Sequence, residues 1–350
     1  MKSWLYFPST TWTLIFFGAV IVEAAIVLAF QGYILFLFEK NTPNYSGSSN
    51  VDVDKHYSYL IIPTFIALFI FAQVYIIVLS WDALRLKNTI QTIMTCFFHV
   101  AMFVYAFLQI SQVQDALVPE YTDLYSRMRP FLIANPCVIA MALFVLAFAT
   151  YKLYLEFGWT IYKQVGASLS MRRAYREYQV FIALLKFDFF FFIGFTIQFV
   201  VIVLGSWNIE FALTIAVIPL TIIVLFLAAW SVRNESMSGM IVSEIFFIGG
   251  IAYYVFKLVR MFQPSEETPF LPVRKSLTTF AIITLVLVLA TAILTLKCMF
   301  NFNKGLKDYI QVKRMSQDND KLEMFDSELL NYQHQYYRNR PNPVSRMSMD

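Results

Sequence analysis

The stretch YQVFIALLKFDFFFFIGFTIQF, Tyr178 to Phe199, decides the fold class because a long apolar run carries two closely spaced charges. A bilayer has a hydrocarbon core about 30 Å thick, so a membrane-spanning helix needs roughly 20 mostly apolar residues. Backbone polar groups in lipid must be satisfied within the segment, which makes a helix the expected structure. Lys186 and Asp188 are the charged residues of this run, and their position decides where the helix enters the bilayer.

The composition extends this interpretation to the whole chain. Apolar residues make up 59% of the sequence, aromatic residues 18% and charged residues only 14%, which is too apolar for a soluble domain. We therefore expect an all-α, polytopic transmembrane helical bundle over residues 1–300, with a mostly disordered cytosolic tail over 301–350. Eight windows have the length of a span, at about 12–38, 59–80, 89–111, 132–155, 181–204, 209–231, 239–259 and 277–299. A re-entrant course for 239–259 would leave seven spans.

Tryptophans support these boundaries. Indole prefers the interface between membrane and water, where one side of the ring is apolar and the nitrogen forms hydrogen bonds. Five of the six tryptophans lie at or near the ends of predicted spans: Trp12, Trp81, Trp159, Trp207 and Trp230. The agreement favours the proposed span limits.

The distribution of positive charge predicts the orientation. With a cytosolic N-terminus, most lysines and arginines fall in cytosolic loops and in the tail, as the positive-inside rule requires. The loop after the seventh span is the exception, since Lys257, Arg260, Arg274 and Lys275 surround it. We expect eight spans with both termini cytosolic, which makes Asn44 of the sequence NYS a possible lumenal glycosylation site.

Two positions are open to Lys186 and Asp188. In the first, residues 172–188 form an amphipathic lead-in at the cytosolic surface, Lys186 extends to the interface, and the span begins near Asp188. In the second, the span begins near Tyr178 and both charges lie within the membrane, where ionisable groups usually mark ion or substrate paths. Residues two apart on a helix point about 200° from each other, so they form no facing pair. We expect the interfacial position for both.

Glu23 and Glu244 are the candidate intramembrane polar site. Glu23 follows Trp12 by eleven residues, about 16 Å along a helix, which places it close to the middle of the bilayer. A carboxyl group there must be protonated, paired or in contact with water. Proton coupling is one hypothesis, and a neutral glutamic acid bonded to a neighbouring helix is the other. We expect interhelical hydrogen bonds from four further polar residues, Gln31, Gln73, His99 and Gln198.

Motifs of enzymes are absent from the sequence. It has no glycine-rich phosphate loop, no nucleophile elbow and no spacing of histidines and cysteines that suits a metal. Its three cysteines all fall in predicted spans, so no disulfide framework or zinc cluster is indicated. We predict that the protein is not an enzyme and has no catalytic, cofactor-binding or metal-binding residues, although an unfamiliar intramembrane enzyme stays open. The expected partner is the lipid bilayer, not nucleic acid.

Two short patterns in the tail match cytosolic sorting signals. YIQV, from Tyr309 to Val312, has the tyrosine-x-x-hydrophobic form that clathrin adaptors bind. DSELL has the Asp-x-x-Leu-Leu form and contains Asp326, Leu329 and Leu330. Both are extended peptides that place an anchor side chain in a pocket. Clathrin adaptors are therefore the predicted protein partners of the tail.

The longer stretch MRRAYREYQVFIALLKFDFFFFIGFTIQF, Met171 to Phe199, resembles a fungal family of uncharacterised multi-pass Golgi apparatus membrane proteins. In that family a basic, tyrosine-containing lead-in continues into a Leu-Leu-Lys-Phe-Asp segment, a run of phenylalanines and Ile-Gly-Phe. Outside these residues the resemblance rests on the number and order of spans. It implies a Golgi location and a fungal source, but it implies no activity and no functional residues.

Three functions fit these features. The first is transport of a small solute, an ion or a lipid along a polar path that contains Glu23 and Glu244. The second is a trafficking or scaffold protein that does not transport and acts through the 156–180 loop and the tail. The third is a receptor-like bundle of seven helices. The oligomeric state does not follow from the sequence.

Overall fold

A computed structural model of the protein describes residues 10–41, 53–117, 121–165, 169–203, 209–263 and 274–302. These ranges contain helices and no strand, which confirms the all-α class. The helices are α1 (Thr11–Asn41), α2 (Val53–Arg85), α3 (Thr89–Leu117), α4 (Thr122–Val165), α5 (Leu169–Gln198), α6 (Ile209–Arg233), α7 (Met237–Met261) and α8 (Arg274–Phe300). A π-helical turn, Phe199–Val203, continues α5.

Each predicted span corresponds to one of these helices. In the described part of the chain, eight helices are long and apolar enough to cross a membrane. The segment 239–259, for which a re-entrant course was the alternative, lies within the 25-residue helix α7. A helix of that length is about 37 Å long, more than the hydrocarbon core requires. The lengths therefore favour eight spans over seven.

The helices form two groups of four, which we call the first unit (α1–α4) and the second unit (α5–α8). In the first unit each helix packs on the next, and α4 closes the group by packing on α1; α5 to α8 repeat this order. The second and third helices of each unit are joined by a tight turn with one left-handed residue, Lys87 (φ 48°) in the first unit and Glu235 (φ 51°) in the second. The units meet mainly where α2 and α3 face α5 and α8.

Aromatic side chains fill the interface between the two units. Phe190 stacks on Phe71 with ring centroids 5.2 Å apart and meets Phe98 edge-on at 4.6 Å. Tyr105 of α3 meets Phe280 of α8 at 5.1 Å. The run of phenylalanines in the opening stretch therefore lies at the centre of the molecule, and α5 is the most buried of the eight apolar helices. Aromatic pairs of this geometry stabilise packing by about 0.5–1.5 kcal/mol each beyond the area that they bury.

Gly194 allows α5 to approach α8 closely. A Cβ atom at this position would lie 2.6 Å from a ring carbon of Phe280 and 3.6 Å from a methyl carbon of Leu68. Helix interfaces in membranes favour small residues because lipid supplies no hydrophobic force to press helices together, so close packing must provide the attraction. The glycine of the Ile-Gly-Phe sequence thus has a packing role.

The outer surface of the bundle is apolar. Large hydrophobic side chains are well exposed on several helices, including Phe107, Met141, Phe144, Phe226, Ile245 and Val286. A soluble protein of this size rarely exposes so much contiguous apolar surface, whereas lipid tails cover it without cost. The fold is that of a multi-pass protein surrounded by the lipid bilayer.

Candidate functional site

Glu23 and His99 form a buried polar contact inside the first unit. His99 Nε2 lies 2.7 Å from Glu23 Oε2, and His99 Nδ1 lies 2.8 Å from the backbone oxygen of Thr95. Both side chains are about 1% exposed. The contact runs from α1 to α3, which occupy opposite corners of the four-helix unit, so it crosses the unit's centre. Glu23 therefore has a hydrogen-bonding partner on another helix, and the neutral state of its carboxyl group stays a prediction.

Gln31 and Gln109 link the same two helices. Each amide donates to the other, with distances of 3.2 and 3.0 Å between nitrogen and oxygen, and both residues are buried. Gln31 lies about two helical turns from Glu23 along α1. Among the described residues, the titratable Glu23–His99 contact and the neutral Gln31–Gln109 contact thus both join α1 to α3.

Lys186 points towards the first unit. Its Nζ lies 2.5 Å from Asp82 Oδ2 and donates to Gln91 Oε1 at 2.8 Å, and the Tyr75 hydroxyl donates to the Lys186 backbone oxygen at 2.6 Å. Asp82 and Gln91 flank the α2–α3 turn, so this cluster lies at one end of the bundle. The position agrees with an interfacial height, but the ammonium group turns inward to these partners, not outward to solvent. Its depth in the membrane stays a prediction.

Asp188 points the other way, into the second unit. It is 3% exposed, and its Oδ2 accepts a hydrogen bond of 2.5 Å from the Thr291 hydroxyl of α8. The sequence grouped Asp188 with Lys186 as an interfacial charge, whereas the structure separates the two and buries the aspartate. The physical reason is the turn of about 200° between residues two apart on a helix.

Polar contacts also join the units at the opposite end of the bundle. The Gln198 amide nitrogen donates to the Tyr105 hydroxyl at 3.2 Å, and the Ser276 hydroxyl donates to the Gln198 amide oxygen at 3.1 Å. An exposed ion pair, Lys275 with Asp115 at 3.6 Å, lies at the same end. The interface between units therefore has polar contacts at both ends and aromatic packing between them.

A cavity lies within the second unit, next to Asp188. Its volume is about 260 Å³, and α5, α6, α7 and α8 all contribute to its wall. Asp188 is the charged residue among the lining side chains, which are otherwise mainly apolar or aromatic. In the described part of the chain Asp188 Oδ1 has no hydrogen-bond partner. A half-satisfied carboxyl group thus lies in the wall of a largely apolar cavity, as single polar groups do in small-molecule sites.

The exposed part of the cavity wall belongs to α6 and α7. Leu220 of α6 and Ile245 and Phe246 of α7 line the cavity, and all three are exposed on the apolar outer surface. Gly249 and Gly250 also line the cavity and carry no side chain that would fill it. The wall of the cavity therefore reaches the surface that lipid covers.

Glu23 and Glu244 do not share one site. Glu23 lies at the centre of the first unit, while Glu244 lies on α7 of the second unit with a partly exposed side chain. Glu244 precedes the cavity residue Ile245 and is not itself part of the wall. Glu23 and Glu244 therefore lie in different units, and a role for either residue in a polar path stays a prediction.

The remaining predicted positions lie outside the described residues. These are Asn44 of the glycosylation sequence and the tail positions Tyr309, Val312, Asp326, Leu329 and Leu330. Over the ranges that are described, no group of three or more histidine, cysteine, aspartate or glutamate side chains is placed to hold a metal ion.

Sequence reasoning missed Asp82 and Thr291, the partners of Lys186 and Asp188. Asp82 falls just beyond the predicted second span, although its place directly after Trp81 marks an interfacial position. Thr291 is one of several threonines in an apolar span, and no local pattern distinguishes it. The cavity depends on the packing of four helices, so a linear pattern does not reveal it.

Comparison with known proteins supplies the family. No family model and no solved structure matches the chain. The chain is 34% identical over 333 residues to a protein of Schizosaccharomyces pombe described as a UPF0658 Golgi apparatus membrane protein, covering 87% of this chain and 92% of that relative. Identity at this level over nearly the whole of both chains confirms the resemblance that the opening stretch indicated. The protein belongs to the UPF0658 family of multi-pass Golgi apparatus membrane proteins.

Proposed function

We propose that this protein transports a single-chain amphiphile with an ammonium head group across the Golgi membrane and catalyses no chemical reaction. The observation that carries the proposal is the cavity in the second unit, where the buried Asp188 carboxyl group has one oxygen without a partner among the described residues. The nature of the ligand is inferred from the side chains that line this cavity.

The ammonium head group of the proposed ligand is inferred from the charge and the hydrogen bonding of Asp188. A buried carboxyl group is stable only when it is protonated, paired with a cation or fully hydrogen-bonded. Thr291 satisfies Oδ2, which leaves Oδ1 to accept from a ligand. An ammonium group supplies both a positive charge and donors, so it complements the site in both respects.

The hydrocarbon part of the proposed ligand is inferred from the side chains that line the cavity and from their exposed side at α6 and α7. Side chains such as Phe192, Val224 and Val288 line the cavity and favour a hydrocarbon chain. A volume of about 260 Å³ suits one short chain better than a whole two-chain lipid. Entry on this side, between α6 and α7, gives a molecule dissolved in the bilayer direct access without passage through water.

The two-unit architecture supports transport over simple storage. Transporters commonly move one helical bundle against another, and α5, which lines the cavity, is also the helix of the second unit that packs most on the first unit. The polar contacts of Lys186 at one end of the interface and of Gln198 at the other are suited to open in turn. In the orientation proposed, the Lys186 end and both chain termini face the cytosol.

A leaflet-exchange assay tests the proposal. The full-length protein is reconstituted into phosphatidylcholine vesicles that contain a fluorescent derivative of decylamine, and dithionite bleaches the label exposed outside. Protein-containing vesicles are expected to lose well over half of the fluorescence, because label from the inner leaflet reaches the outer one. Asp188→Asn is expected to slow this exchange at least tenfold, since it removes the charge that binds the head group.

A matched control separates the cavity from the rest of the lipid-facing surface. Phe226 of α6 is 72% exposed and does not line the cavity, so Phe226→Leu is expected to exchange label at the wild-type rate. Equal bleaching in empty vesicles and in wild-type vesicles would refute the transport proposal. Equal exchange of a fatty acid label and the amine label would refute the role of the ammonium group.

A further inference from the structure

The hydrogen-bond geometry of Glu23 and His99 determines how many protons the two side chains share. The backbone oxygen of Thr95 can only accept, so His99 Nδ1, at 2.8 Å, must carry a hydrogen. A hydrogen bond between Nε2 and Glu23 Oε2, at 2.7 Å, then needs one more proton between the two atoms. That proton lies either on Glu23, with a neutral imidazole, or on His99, with a carboxylate.

The surroundings favour the form in which Glu23 is neutral. Both side chains are about 1% exposed, and charges at such a position lose their hydration. The other carboxylate oxygen, Oε1, has no hydrogen-bond partner in the described part of the chain, so an ionised Glu23 would keep one oxygen unsatisfied. A protonated carboxyl group that donates from Oε2 to Nε2 avoids both costs.

We propose that Glu23 and His99 form a proton-binding site at the centre of the first unit. Glu23 carries the proton and donates it to His99 Nε2 in the resting state. When the proton passes to a water molecule, Glu23 becomes a carboxylate whose Oε2 faces the Nε2 lone pair of a neutral imidazole. Two acceptors cannot remain 2.7 Å apart, so the link between α1 and α3 opens. Proton occupancy thereby controls a contact across the centre of the unit.

Few other titratable groups face this centre from the neighbouring helices. Between Arg129 and Lys152, the titratable residues of α4 are Cys137 and Tyr151, and between Ile62 and Asp82 that of α2 is Tyr75. The central part of α3 adds Tyr105 and Cys96, which lies 3.4 Å from the Thr150 hydroxyl. On α5, Lys186 and Asp188 are engaged with Asp82 and Thr291. In the described core of the first unit, Glu23 and His99 are therefore the acid and the base that face each other.

Infrared spectroscopy of the full-length protein in lipid nanodiscs tests the site directly. The wild-type spectrum near neutral pH is expected to contain a carboxylic acid C=O band that Glu23→Gln removes, because glutamine has the same shape and donates to His99 Nε2 without a titratable proton. His99→Gln is expected to keep the band at a shifted frequency, since the hydrogen-bond acceptor changes. Gln31→Met is the control. It removes the neutral contact between α1 and α3 and is expected to leave the carboxylic acid band in place.

Nitrogen NMR of histidine-labelled protein gives a second readout that needs no change at Glu23. With His99→Gln used for assignment, His99 is expected to be a neutral imidazole with its hydrogen on Nδ1 at neutral pH. As the pH rises, loss of the carboxylic acid band and a change in the His99 signal are expected together. An imidazolium signal with no Glu23-dependent acid band between about pH 5 and about pH 8 would overturn the proposal. Neither measurement uses an amphiphile, so failure here is distinct from failure of the proposed transport.

Discussion

Lys186 and Asp188 are separated by one residue on α5, yet their side chains bind in different halves of the molecule. Lys186 contacts Asp82 of the first unit at 2.5 Å, and Asp188 accepts from Thr291 of the second unit at 2.5 Å. A helix turns about 200° over two residues, so the opposite directions are a direct consequence of α-helical geometry. One short sequence thereby ties the two units together and supplies the carboxyl group of the cavity.

The Lys186–Asp82 contact is expected to stabilise the interface between units. Lys186→Met should lower the free energy of unfolding by roughly 1–3 kcal/mol, because Asp82 and Gln91 lose a donor in a partly buried setting. Thermal unfolding in detergent with a double-mutant cycle against Asp82→Asn measures the coupling. Asp123→Asn removes an exposed ion pair with Arg127 and should cost less than about 0.5 kcal/mol. Equal effects for the two pairs would contradict the assigned role.

Gly194 is expected to tolerate no larger residue without loss of stability. A methyl group there would meet the Phe280 ring at 2.6 Å, so Gly194→Ala should lower the melting temperature by several degrees through displacement of α5 from α8. Gly18→Ala is the matched control, because nothing lies within 4 Å of a Cβ at that position. Alanine favours helix over glycine, so the control should be neutral or slightly stabilising. A stabilised Gly194→Ala protein would show that the helices are not in close contact.

The Gln31–Gln109 contact is expected to show strong coupling. Replacing either glutamine by leucine leaves the other amide buried without its partner, which should cost about 1–2 kcal/mol. Replacing both removes the unsatisfied group, so the double variant should be more stable than the sum of the single losses predicts. Unfolding measurements on the four proteins give the coupling energy. Additive losses would mean that the two amides do not bind each other.

The tail signals stay predictions, and they can be tested in cells. Replacing Leu329 and Leu330 together by alanine should move part of the protein away from the Golgi, because the dileucine anchor for an adaptor pocket is lost. Fluorescence microscopy of tagged full-length protein measures the change. Tyr309→Ala tests the second signal independently. Unchanged location in both variants would remove clathrin adaptors as partners.

The spans and their order could be read from the sequence because hydrophobic length is a local property. The run of phenylalanines in the opening stretch needs no knowledge of its neighbours to indicate a helix in lipid. Its intramembrane polar residues were also visible: His99 was expected to bond between helices, and it binds Glu23. Isolated polar groups in an apolar helix must find a partner, so their existence predicts a contact even when the partner is unknown.

The destinations of these side chains could not be read from the sequence because they depend on packing between distant helices. Thr291 lies 103 residues from Asp188 in the chain, and no pattern near either residue links them. Glu23 and Glu244 were grouped because both are acidic and lie within spans, but they fall in different units. The cavity likewise arises only when α5 to α8 come together.

Photoaffinity labelling is the measurement that tests the Asp188 cavity most directly. Wild-type protein in nanodiscs is illuminated with a diazirine derivative of decylamine, and the labelled peptides are identified by mass spectrometry. The account predicts labels on α6 or α7 near Leu220 and Ile245, competed by decylamine but not by decanoic acid, and lost in Asp188→Asn. Labels that fall mainly on α1–α4, or that persist unchanged in Asp188→Asn, would contradict it.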